Sequence, residues 1–168
     1  MNSAELREAI LGLHPVYSEK YRSFIETISN KGEKTGTGDI AMFGPIYQTY
    51  MYACVIGIRL KKKVYLSADD KRTSEFALIQ KWKPIQIRDF VIMAILNRTE
   101  DFGYRWIDLE NASDEVLRKF TSDFRKEMEA YANAGFQYLY EKWEKERVLF
   151  SSPTVFVDIL KELKIPAE

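Results

Sequence analysis

The 168-residue chain reads as a mainly α-helical, single compact domain of about six helices, and three observations carry that reading. Two stretches, Ile46 to Ile58 and Phe90 to Leu96, hold no charged residue, and the helices containing them open at Pro45 and Pro84, where a proline loses no helical bond. A third stretch beginning at Ser113 places Leu117, Phe120, Phe124, Met128, Tyr131, Gly135 and Tyr138 at spacings of three and four, one face of a long helix. With 46% hydrophobic residues the chain can bury a sizeable core, and its length suits one ordinary domain.

The elements follow in order. Asn2 or Ser3 caps a first short helix that ends near Gly12 and turns Leu6, Ile10 and Leu13 to one face. Pro15 opens a second helix carrying Tyr17, Tyr21, Phe24, Ile25 and Ile28, ended by Asn30. Residues 31 to 39, KGEKTGTGD, read as an exposed loop. The Ile46 to Ile58 helix is the expected centre of the core, with Gly57 permitting a break before a basic exit. Short strands are possible only within residues 60 to 82, where SADDKR marks a turn. The Pro84 helix is the second core element, with Phe90 to Leu96 buried on most sides. An aromatic connection with Phe102, Tyr104 and Trp106 precedes the Ser113 helix, in which Asp114 and Glu115 suit the first turn. Gly135 lies in the apolar seam of that helix, where a glycine costs about 1 kcal/mol against alanine and so points to close helix contact. Ser152 and Pro153 open a last helix through Leu163.

Charge is balanced overall and uneven locally. Residues 59 to 88 carry 9 basic and 3 acidic side chains, a net of +6, whereas residues 89 to 168 carry 11 and 16, a net of −5. A zero total excludes a global field favouring nucleic acid or membrane. The single cysteine, Cys54, excludes an internal disulfide and fits the cytoplasm. The start MNSAELREAILGLH lacks the pattern of a secretory signal, and the 13 residues from Ile46 to Ile58 are too few for a membrane span of about 20.

Catalytic chemistry has few residues to draw on. One histidine, His14, and one cysteine cannot build the usual zinc ligand sets, and Cys54 on an apolar helix reads as an inert core thiol. Gly32, Gly36 and Gly38 lack the Gly-Lys-Ser/Thr ending and preceding strand of a phosphate loop. Asp123 and Glu127, one turn apart, together with Asp101, Asp108 and Glu110, allow a magnesium site and a metal-dependent nuclease on paper. Acids on the outer face of an amphipathic helix are more simply solvation. The expectation is therefore a non-enzyme with no cofactor.

The basic block is the remaining candidate. Arg59, Lys61, Lys62, Lys63, Lys71, Arg72, Lys81, Lys83 and Arg88, interleaved with Tyr65 and Trp82, could track phosphates while the rings stack on bases. The same residues could instead pair with acidic surface, within the chain or in a protein partner. The zero net charge and the absence of a helix-turn-helix pattern favour the second reading.

Several of these residues also carry a family resemblance. Phe43, Tyr47, Ala53 and Gly57 on an aromatic-led helix, the basic exit from Arg59 to Lys63, Ala94 on a later apolar helix and the run Tyr131-Ala132-Asn133-Ala134-Gly135-Phe136 resemble the small Dnd-system-associated proteins. The likeness covers roughly residues 40 to 140. That family is encoded beside bacterial DNA phosphorothioation and phage-defence genes. The resemblance implies an accessory protein whose partners belong to a DNA-processing complex, and it supplies no catalytic residues.

Overall fold

The computed structural model describes residues 3–29, 43–73 and 77–163, and among them every regular element is helical. Seven α-helices occur: α1 (Ser3–Leu11), α2 (Arg22–Ile28), α3 (Ile46–Arg59), α4 (Ile85–Leu96), α5 (Trp106–Glu110), α6 (Asp114–Lys145) and α7 (Val155–Glu162), joined in part by short 3-10 turns. The expected loop at residues 31 to 39 and the capping role of Asn2 lie outside the described residues.

The core is built on the crossing of α3 and α6, the most extensive helix pair. Thr49, Tyr50, Met51, Ala53, Cys54 and Ile56 are buried on α3, and Phe120, Phe124, Met128, Tyr131 and Phe136 are buried on α6. Neither Gly57 nor Gly135 interrupts its helix. A Cβ on Gly57 would stand 2.1 Å from the Tyr131 carbonyl oxygen, and one on Gly135 would stand 1.9 Å from that of Ala53. Both glycines are therefore points of backbone approach, and the expected break at Gly57 is corrected to a contact. α6 begins as its sequence indicates, with Ser113 Oγ accepting from the Val116 amide at 3.4 Å.

Three further expectations are corrected, and the possible strands of residues 60 to 82 are absent among the described residues. The second helix does not start at Pro15, because the Tyr17 region pairs with a distant strip. Thr73 N donates to Tyr17 O at 3.0 Å, Glu19 N donates to Lys71 O at 2.7 Å, and α2 begins only at Arg22. That pairing amounts to one isolated antiparallel bridge, Ser18 to Arg72, and no strand forms among the described residues of the 60 to 82 segment. The aromatic connection contains the short helix α5. Most consequentially, α4 is not buried on most sides. Val91 and Ile95 face the core, but Phe90 is 56% exposed and Met93 52%.

Candidate functional site

The basic turn after α3 is a defined helix cap. Lys62 N donates to Gly57 O and Lys61 N donates to Ile58 O, both at 3.1 Å, which is the paired bonding of a Schellman motif. The residue this motif places in the left-handed region is Lys61, at φ 51°, where glycine is usual. A left-handed L-residue costs roughly 1–2 kcal/mol. An exposed lysine thus occupies a position that backbone sterics reserve for a residue without a side chain.

The next three residues are strapped across α6. Val64 N donates to Ala130 O at 3.0 Å, and Asn133 Nδ2 donates to Val64 O at 3.0 Å. Lys63 Nζ donates to Glu127 Oε2 at 3.0 Å, and the Tyr65 hydroxyl donates to the other oxygen of the same carboxylate. Burial lowers the affinity of the Lys63 amine for its proton, yet the bonds to Glu127 and Tyr65 outweigh that and hold its pKa above the usual lysine range. Lys63 is consequently committed to the fold.

The remaining members of the block divide sharply. Trp82 is 1% exposed and its Nε1 donates to Ala77 O at 2.9 Å, so it is a core residue and cannot stack on a base. Arg88 is buried too, bonded to Asp89 at 2.8 Å and to Gln80 O at 3.2 Å. Lys71 and Arg72 are exposed on the strip that pairs with residues 17 to 19, and Lys81 and Lys83 are exposed on either side of Trp82. Arg59 and Lys61 line a concave surface.

That surface is a groove of about 300 Å³ where α3, α4 and α7 meet. Val55 and Ile58 of α3, Phe90 of α4 and Leu160 of α7 supply apolar lining, and Arg59, Lys61 and Arg98 supply charge. No carboxylate among the described residues forms an ion pair with any of these three cations. Arg59 Nε donates to the Leu163 carbonyl at 3.3 Å, and Arg98 donates to the Tyr131 hydroxyl at 3.2 Å with its guanidinium over that ring. Both are positioned by these neutral acceptors, and neither meets a carboxylate among the described residues. Phe90 and Arg98 escape a reading of the sequence, since Phe90 sits in an apolar run that looks like core and Arg98 lies just past a helix end.

The carboxylates of α6 are taken up by other partners. Asp123 accepts from Tyr104 at 2.8 Å and from Lys126 at 3.0 Å, while Glu127 is turned to Lys63 and Tyr65. Burial raises the Asp123 pKa, and the bonds from Lys126 and Tyr104 reverse that to a net lowering. Among the described residues no group of three metal-ligating side chains occurs. Glu127 and a second acid of α6, Glu129, are both buried, so the reading of Glu127 as a solvated acid is corrected. Glu129 accepts from Val16 N at 3.0 Å, and burial raises its pKa. Cys54 is fully buried, its thiol pKa pushed well up by desolvation.

No helix of the described residues is long and apolar enough to cross a membrane. No family model, curated protein or solved structure matches the chain. The resemblance to the Dnd-associated proteins accordingly rests on the residues quoted for it.

Proposed function

We propose that this protein is a non-catalytic interaction subunit, and that it serves a bacterial DNA-modification or phage-defence assembly. The observation that carries the first part is the outer face of α4. Phe90 and Met93 are about half exposed on a helix whose other side packs in the core, and Phe90 lies beside Arg59, Lys61 and Arg98, none of them ion-paired among the described residues. Large apolar side chains grouped with cations are what a protein interface leaves open in the free subunit. The second part rests on the resemblance alone, and a cytoplasmic location is supported by the single cysteine, Cys54.

A nucleic-acid-binding module is the competing reading. Exposed Lys61, Lys62, Lys71, Arg72, Lys81 and Lys83 favour it, whereas the burial of Trp82 and Arg88 and the pairing of Lys63 with Glu127 weaken it. A salt titration of the pure chain against duplex and single-stranded DNA separates the two. An interaction subunit binds negligibly at physiological salt. A binding module binds tightly at low salt, with an affinity that falls steeply as salt rises and a slope that flattens when Lys61 and Lys62 are removed.

A further inference from the structure

Building on the interaction-subunit reading, we propose that the groove between α3, α4 and α7 receives an acidic amphipathic segment of a partner protein, which sets its carboxylates against Arg59, Lys61 and Arg98 and its apolar side chains against Phe90. Charge complementarity supports the first half of this assignment. Three cations line one concavity of about 300 Å³, none is ion-paired among the described residues, and no acid contributes to the lining. Like charges so gathered repel one another until counter-charge arrives.

The apolar lining supports the second half. Val55, Ile58, Phe90 and Leu160 would gain little from a phosphate backbone, and the tryptophan of the basic block is buried beyond the reach of a base. A segment carrying both apolar and acidic side chains satisfies both parts of the surface at once. Acidic and apolar side chains three and four positions apart on a helix would be presented together on one face, as in helix-in-groove recognition.

Lys61 adds an independent argument. Its left-handed backbone would be relaxed by glycine, so the lysine side chain stands there against local stability. Strained backbone of this kind concentrates at functional positions. The cap, in which the Lys62 amide closes on Gly57, sets the backbone of this exposed lysine at the groove.

A second groove of about 390 Å³ lies on the other side of α4, lined by Ile10, Leu11, Met93, Leu96 and Trp106. Its charged members, Arg7 and Asp89, are of opposite sign and specify no partner chemistry.

Site-specific photocrosslinking tests the assignment in the full chain. A photoreactive phenylalanine analogue replaces Phe90, and a second version carries it at Val148, which is 84% exposed and outside the groove. Irradiation in the native host, followed by mass spectrometry of the adducts, is expected to mark a protein segment with acidic excess and interspersed apolar residues. The adduct should form at position 90 and not at 148, and Lys61→Glu should reduce its yield at least tenfold. An adduct to nucleic acid, to a second copy of this chain, or to a segment lacking acidic excess overturns the inference. Absence of an adduct while a partner still co-purifies overturns this groove and leaves the interaction-subunit reading standing. Absence of both adduct and partner overturns the two together.

Discussion

Gly135 on α6 lies against the backbone of Ala53 on α3, so close that a methyl group on Gly135 would stand 1.9 Å from the Ala53 carbonyl oxygen. The reciprocal approach occurs at Gly57, whose added Cβ would stand 2.1 Å from the Tyr131 carbonyl oxygen. The obstacle at each position is backbone, which cannot swing aside as a flexible side chain can. Gly135→Ala and Gly57→Ala must therefore part the two central helices. Overpacking of this sort costs about 1–3 kcal/mol or more, enough to exceed the gain of about 1 kcal/mol in helix propensity. Denaturant unfolding should show both variants destabilised, whereas an alanine substitution that stabilises would contradict the crossing.

The outward face of α4 makes an opposite prediction for two neighbours in the sequence. Ile95 is fully buried and Phe90 is 56% exposed. Ile95→Ala should cost about 2–5 kcal/mol, as buried aliphatic truncations do. Phe90→Ala should fall within about 1 kcal/mol of the parent, despite removing the larger side chain. Equal losses at the two positions would mean that Phe90 is core after all.

Much of this architecture could be read from the residues themselves. The charge-free run from Ile46 to Ile58, the Ser113 cap and the seam through Gly135 are local patterns, and each lies where expected. What the sequence does not disclose is contact between distant segments. Tyr17 meets Thr73, and Lys63 meets Glu127 across 64 positions. These pairings shortened the second helix and removed Lys63 from the basic surface. An apolar run such as Phe90 to Leu96 also cannot reveal whether its far side meets core or solvent. Arg59 and Lys61 of the groove were legible as cations, but their convergence with Arg98 and Phe90 depends on how α4 and α7 dock.

Lys63 and Glu127 should show measurable coupling. The pair is largely buried, with Glu127 also accepting from Tyr65, and removing one partner strands the other. A double-mutant cycle through Lys63→Met and Glu127→Gln is expected to give a coupling of about 1–3 kcal/mol. A coupling near zero would show that the strap over α6 is held by Val64 and Asn133 alone.

Glu129 faces Arg125 Nε at 3.8 Å, yet burial outweighs that cation, so it should make stability depend on pH in the direction opposite to an ordinary salt-bridged acid. Burial raises its folded pKa above the unfolded value, so the folded state binds the extra proton. The resulting stabilisation is fully present below the unfolded pKa and is lost as pH rises through the folded one. Gln at this position keeps an oxygen for the Val16 amide without the buried charge. Glu129→Gln should therefore remove that loss, measured as the difference in unfolding free energy from the parent across the acidic range. A difference that does not change with pH would contradict the assignment.

Lys61 links the stability of the fold to the proposed role. Glycine at this left-handed position should stabilise the protein by about 1 kcal/mol, since the present backbone strain is of that order. The same substitution removes a groove cation. The most direct measurement is affinity purification from the native host of three tagged forms, the parent, Lys61→Gly and Phe90→Asp with Lys61→Glu, each checked for unfolding midpoint. The account predicts a stoichiometric partner with the parent, less with the more stable Lys61→Gly form and none with the folded double variant. Undiminished partner on the folded double variant would contradict it, as would a parent that recovers no protein.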